Sequence, residues 1–202
     1  GVSHWRYFFE EQNEGDKRLA SICHTRPSGA FFGLAQLSPF TRTCDSWKEL
    51  MSLPTITERV ETLKNPDKRR QLIREGIASG DLKDLARMLH PFGLEATPNV
   101  DFDRKQSLQQ LADNAGKDVV EIYVERLLES EGKEFFNFWM FGGNLENQWN
   151  YMRLPHVVPM LGDAGAHVGF FTDTDSPTIL LSELTRKQGV YSLPEAVHRI
   201  SG

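Results

Sequence analysis

Most of the chain repeats apolar residues at helical spacing, and a few short stretches are apolar throughout. Residues 2–14 carry Trp5, Tyr7, Phe8 and Phe9 on one side of a helix, which Gly15 and Asp16 break. Residues 19–23 form a short strand candidate ending at His24-Thr25-Arg26-Pro27. Residues 28–40 are rich in Gly and Phe without clean periodicity and read as a loop. Short helices are expected at 46–51, at 57–63 with Thr57 as cap, and at 82–89 before His90-Pro91. Asn65-Pro66 starts another, with Asn as N-cap, Pro at the first helical position, and Leu72, Ile73 and Ile77 on its apolar side. Arg69, Arg70 and Arg74 on that helix read as a solvated basic face, because acids lie close by. Residues 95–102 are polar and read as a loop. Ser107 and Gln110 make a capping box for a helix closed by Gly116. Asp118 caps a stronger one, burying Val119, Val120, Ile122, Tyr123 and Leu127. The aromatic run 135–140 reads as a strand, Gly142-Gly143 as a turn, and Asn144 as the cap of a helix reaching Arg153. Ser176-Pro177 and Ser192 open the last two helices, the first closed by Gly189.

The stretch 154–171 organises the rest. Val157 to Leu161 is apolar throughout, as a strand buried on both faces would be. Gly162 ends it, and Asp163 follows at once. Ala164, Gly165 and Ala166 are too small to crowd a ligand above Asp163, and His167 comes one small-residue stretch later. A carboxylate at the carboxyl end of a buried strand is well placed to hold a metal or take a proton, because parallel α/β folds collect chemistry at that end. Asp and Gly are also ordinary turn residues, so Asp163 as a turn cap and His167 as packing stand beside that reading.

Pro155-His156-Val157-Val158-Pro159-Met160-Leu161-Gly162-Asp163-Ala164-Gly165-Ala166-His167-Val168 resembles the last barrel-strand motif of the N-acyl-D-amino-acid deacylases, amidohydrolase family 3. Ser192-Leu193-Pro194-Glu195-Ala196-Val197 is similar to the helix that follows that strand. Arg26-Pro27-Ser28-Gly29, Pro39-Phe40 and Asn65-Pro66-Asp67 resemble the middle of such proteins. The resemblance implies an α/β fold: a helix-rich portion of a metal-dependent (α/β)8 barrel, holding its last strands and the helices after them. It implies one incomplete domain, 1–202, with a mostly helical insertion at about 41–105. By the same resemblance the parent enzyme hydrolyses a C–N bond of a small amide, of the N-acyl amino acid type, with a zinc-activated water. Asp163 would be metal ligand and proton relay. Arg26 would clamp a substrate carboxylate by its planar fork, and His167 would touch substrate or orient a ligand. For Arg26 a structural acid partner is the competing reading.

The histidines limit what this chain does alone. No two of the six are one residue apart, so the superfamily's His-x-His pair is absent, and zinc needs at least three protein ligands. The expectation is that zinc belongs to a longer parent and that this portion is inactive by itself. Val168-Gly169-Phe170-Phe171-Thr172-Asp173 also stands where those deacylases carry His-Pro-Arg, which argues against D-amino-acid substrates. The alternative is a non-catalytic, helix-rich interaction module sharing that ancestry. Net charge −5 gives no electrostatic case for nucleic acid or an anionic membrane. No apolar run approaches the roughly 20 residues of a membrane span. Cys23 and Cys44 match no zinc spacing and read as reduced cytoplasmic thiols. Apolar strands that lack their barrel neighbours favour a homo-oligomer.

Overall fold

A computed structural model describes residues 2–14, 19–26, 28–94, 106–141, 145–160, 162, 165, 169, 171 and 173–201. The chain is mixed α/β, dominated by helices with two small sheets, and it divides into two compact units. The first comprises residues 1–29 and 140–202, and the second residues 30–139. Asp163, His167, Leu161, Pro27, the loop at 95–102, Gly142-Gly143 and the cap at Asn144 lie outside the described residues. No helix among the described residues is long and apolar enough to cross a membrane.

The first unit opens with α1 (Val2–Gln12), as its one-sided aromatic pattern predicts. β1 (Ser21–Cys23) pairs in parallel with β5 (Val157–Pro159), in the register Ser21 to Val157 and Cys23 to Pro159. β5 is shorter than the 157–161 expected. It is also buried on one face only: Val157 is fully enclosed, whereas Val158 is 40% exposed. α8 (Leu145–Met152) precedes β5 and packs Tyr151 on Phe9 of α1, with ring centroids 6.1 Å apart. After β5 come α9 (Ser176–Ile179), which continues as a π-helix over Leu180–Lys187, and α10 (Leu193–Ser201). Ser192 caps α10 as expected, accepting from Glu195 N–H. At α9, however, the N-cap is Asp175 rather than Ser176. Phe9, Met152, Leu154, Val157, Leu180, Leu184 and Tyr191 form this unit's core.

The second unit is a helical cluster on a three-stranded sheet of order β2-β4-β3. β2 (Ser28–Phe32) is a strand where the sequence suggested a loop. Ser28, Gly29 and Ala30 are all buried, so small residues replace the branched ones that usually announce a strand. β4 (Phe136–Phe141) takes the middle place and buries Phe136, Asn137, Phe138 and Trp139 on both faces. β3 (Leu89–Pro91) lies antiparallel to it, and His90 stacks on Trp139 at 4.4 Å. The helix expected over 82–89 is only α5 (Asp81–Leu85), because the chain turns out into β3.

Helix ends follow the capping residues. α2 spans Asp45–Ser52. α3 (Ile56–Lys64) is capped by Thr55 in a capping box with Glu58, two residues ahead of the expected Thr57. Asn65 caps α4 (Pro66–Ser79), as Asn-Pro predicts. Gly76, not the exposed Ile77, faces inward from α4: an added Cβ would meet Val120 Cγ1 at 2.9 Å and Phe40 Cε1 at 3.1 Å. Ser107 caps α6 (Leu108–Ala115), and Asp118 with Glu121 boxes α7 (Val119–Glu129). Phe40, Trp47, Tyr123 and Phe136 interlock in the core, with Tyr123 and Phe136 centroids 4.7 Å apart. Arg59 ties the loop before α3 down by donating to the carbonyls of Leu34, Met51 and Leu53.

The Tyr123 hydroxyl is fully buried with no hydrogen-bond partner among the described residues. Burial alone pushes its phenol far above the ordinary 10.0. Below pH 10 both folded and unfolded chains hold this proton. Above it only the unfolded chain releases the proton, so stability falls as pH rises. Tyr123→Phe is therefore expected to leave stability unchanged or raise it by up to about 1 kcal/mol, and to flatten the alkaline loss. Chemical unfolding of both proteins at neutral and alkaline pH checks this; a variant clearly weaker than wild type at neutral pH would show that the hydroxyl has a partner.

Candidate functional site

The parallel pair β1/β5 sends both chains out at one end, and that end opens into a cleft of about 480 Å³ in the first unit. Thr25 lines it after β1. Pro159, Met160, Gly162 and Gly165 line it after β5. Asp173, Thr174, Ser176, Pro177 and Leu180 also line it, with Arg199 and Ile200 of α10.

A buried polar network holds this end together. Asp173 is 1% exposed, and its Oδ2 accepts from Ser28 Oγ at 2.8 Å. Ser176 donates from its hydroxyl and its N–H to the Asp173 carbonyl, at 2.9 and 3.2 Å. Thr25 Oγ1 donates to the Ser176 carbonyl at 3.0 Å. From α8, Gln148 Nε2 donates to the carbonyls of His24 and Arg26, and Trp149 Nε1 to that of Thr25. The segment after β1 is thus fixed by α8 on one side and by the start of α9 on the other. Buried groups of this kind persist because each would cost a few kcal/mol unpartnered.

Arg26, the expected carboxylate clamp, is buried and ion-paired: Nη1 lies 2.5 Å from Asp175 Oδ2. It is not among the described residues that line the cleft. A ligand carboxylate would have to displace Asp175 to reach it. The alternative noted from the sequence, pairing with a structural acid, is the arrangement found. Asp163 and His167 lie outside the described residues; Gly162 and Gly165, which bracket Asp163 in the sequence, both line the cleft.

Gly162 is required here by close approach. A Cβ at that position would sit 2.5 Å from the Asp173 carbonyl oxygen and 3.0 Å from its Oδ1. The motif glycine therefore admits the buried carboxylate's segment against the strand end. Cys23, at the end of β1, is half-buried, and burial pushes its thiol up to about 11, so it is a packing thiol and no ready nucleophile.

The fit to zinc is limited on the described residues. Among the described residues the cleft wall supplies one carboxylate, Asp173, and no imidazole or thiolate. No three His, Cys, Asp or Glu among the described residues come together as a metal-ligand group. Zinc needs three protein ligands, so these residues alone do not hold it. Sequence reasoning passed over Ser28, Thr25, Gln148 and Arg199. Their residue types are common, and only the fold brings them to one place. Thr172-Asp173-Thr174-Asp175-Ser176-Pro177 carried a signal, but one that reads as a helix cap.

Comparison of the chain with protein-family models, with curated proteins and with solved structures finds no match.

Two outcomes are expected. Gly162→Ala should destabilise the first unit by about 1–3 kcal/mol, since backbone rather than a flexible side-chain tip opposes the new methyl; a thermal melt indistinguishable from wild type would refute the close approach. Both cysteines should titrate as free thiols in the unfolded, unreduced protein, and native Cys23 should alkylate slowly at neutral pH. Fewer than two thiols, or fast native reaction at Cys23, would contradict this.

Proposed function

We propose that this chain is the late part of a metal-dependent amidohydrolase of the (α/β)8-barrel type, acting on a small amide of the N-acyl amino acid class. One observation supports the reading above the others: a cleft lies at the carboxyl ends of two parallel strands, and its wall includes the two glycines that bracket Asp163. The resemblance of residues 155–168 to the last-strand motif of such enzymes is the other support. Zinc, when bound, would lower the pKa of its water to about 7 and so supply hydroxide near neutral pH. By the same resemblance its histidine ligands would come from a longer parent. Asp163 would take the proton of the attacking water and hand it to the departing amine, the task of a positioned carboxylate. Met160, Pro177, Leu180 and Ile200 offer an apolar wall to an acyl chain. Arg26 would then position Asp175 and the start of α9 rather than touch substrate.

The test is metal analysis and amine release from a panel of N-acyl amino acids, in a protein that also carries the missing histidine ligands. Asp163→Asn should lower kcat by about 10²–10⁴-fold. Thr57→Ser, exposed on α3 of the second unit, should change little. Hydrolysis undiminished in Asp163→Asn, or a folded protein with neither metal nor hydrolysis, would overturn the reading.

A further inference from the structure

β5 has one neighbour, β1, so its other edge meets no strand among the described residues. Ser21 N–H donates to the His156 carbonyl and Met160 N–H to the Cys23 carbonyl, both at 2.8 Å. Backbone groups along a strand alternate between edges, so those of Val157 and Pro159 face the far side. An edge of this kind recruits another chain unless something blunts it. Here both groups of Val157 can be accounted for. Val157 N–H turns back to the Leu154 carbonyl at 3.2 Å. Pro159 has no N–H to offer. The Val157 carbonyl accepts from Arg199 Nη1 of α10 at 2.6 Å.

Arg199 is itself held in place. Its Nε and Nη2 donate to Glu195 Oε1 at 3.3 and 3.2 Å. Its guanidinium lies 4.5 Å over the Tyr191 ring, whose hydroxyl is anchored on the Met152 carbonyl at 2.6 Å. The side chain is 15% exposed. It stands where the backbone of a further strand would have to come, and it forms part of the cleft wall together with Pro159. The need for such a stop is visible nearby: the register pair Ile22 and Val158 leaves an apolar face open, 61% and 40% exposed.

We propose that Arg199 is an edge latch, which pins α10 along the open edge of β5 and bars a second copy of the chain from adding a strand there. The inference stands apart from the amidohydrolase reading. A closed barrel would need a strand on that edge, and in that reading the latch releases when the strand arrives. The experiment reads association and proton exchange, never hydrolysis, so it fails or succeeds independently.

Arg199→Met keeps the apolar stem and loses the donors; Arg199→Lys keeps a charge and a donor. Sedimentation over a range of micromolar concentrations should show self-association of Arg199→Met strengthened by about tenfold over wild type, the worth of one charge-assisted hydrogen bond, with Arg199→Lys close to wild type. Equal association in all three proteins overturns the latch. Should Arg199→Met fail to fold, nitrogen-15 NMR of the wild-type protein decides: the Arg199 guanidinium protons should exchange with water far more slowly than those of exposed Arg70. Equally fast exchange at the two sites overturns the proposal.

Discussion

The parallel pairing of β1 with β5 is the constraint on which the first unit depends. Two three-residue strands from opposite ends of the chain meet there, with the whole second unit lying between them in sequence. Parallel strands need a long crossover, and this one is unusually long. Loop closure grows only slowly with loop length, about 0.6 kcal/mol per doubling, so a folded insertion costs the pair little. What the pair cannot do is stand alone, because three residues a side give too few ladder bonds. The contacts beyond the strand ends supply the difference. Thr25 to Ser176, Ser28 to Asp173 and Gln148 to His24 all join residues more than a hundred positions apart.

Those contacts also explain why this end of the pair is polar though it is buried. Each hydrogen bond is worth about 1 kcal/mol net, but leaving one partner alone costs about 1–3 kcal/mol. The network is therefore cooperative: loss of Ser28 would strand one bond of a carboxylate that is almost wholly enclosed. The ion pair of buried Arg26 with the partly exposed Asp175 helps fix where α9 begins. Gly162 lets β5 and the Asp173 segment approach within backbone contact. A cleft whose walls are fixed in this way is preorganised, as chemistry or tight binding requires.

The sequence foretold elements whose signals are local. Asn65-Pro66, Ser107 with Gly116, Asp118, and Ser192 mark helix ends because capping chemistry acts within three residues. The aromatic run of β4 announced a strand buried on both faces, as the centre of a three-stranded sheet must be. β2 stayed hidden because Ser28, Gly29 and Ala30 are small where strands are usually branched. The cleft's position at the carboxyl end of β5 was legible from an apolar run followed by small residues. Its polar wall was not, because Thr25, Ser28, Gln148 and Arg199 lie on four separate segments and no local pattern joins them. Arg26 was singled out for its fork geometry, but its partner Asp175 stands far along the chain and no spacing rule points to it.

The π-helix after α9 shows how the core and the cleft are made to share one residue. Leu180 is fully buried, belongs to the first unit's core and also lines the cleft. Leu184, four residues on, is equally enclosed. In an α-helix these two would stack one turn apart on a single face. The wider π turn changes their relative angle, since each turn takes up more residues. Its cost lies in poorer backbone bonding, and one side chain and a closing backbone bond offset part of it. Thr185 Oγ1 donates to the Leu180 carbonyl at 2.8 Å, and Gln188 N–H reaches back to the Glu183 carbonyl at 2.8 Å. Gly189, at φ +59°, then turns the chain so that Val190 N–H closes on the Leu184 carbonyl at 2.7 Å. Such turns occur frequently at functional sites. Leu180 and Leu184 share one core cluster, and Leu180 also lines the cleft, so repacking the core around Leu184 would reshape the cleft wall as well.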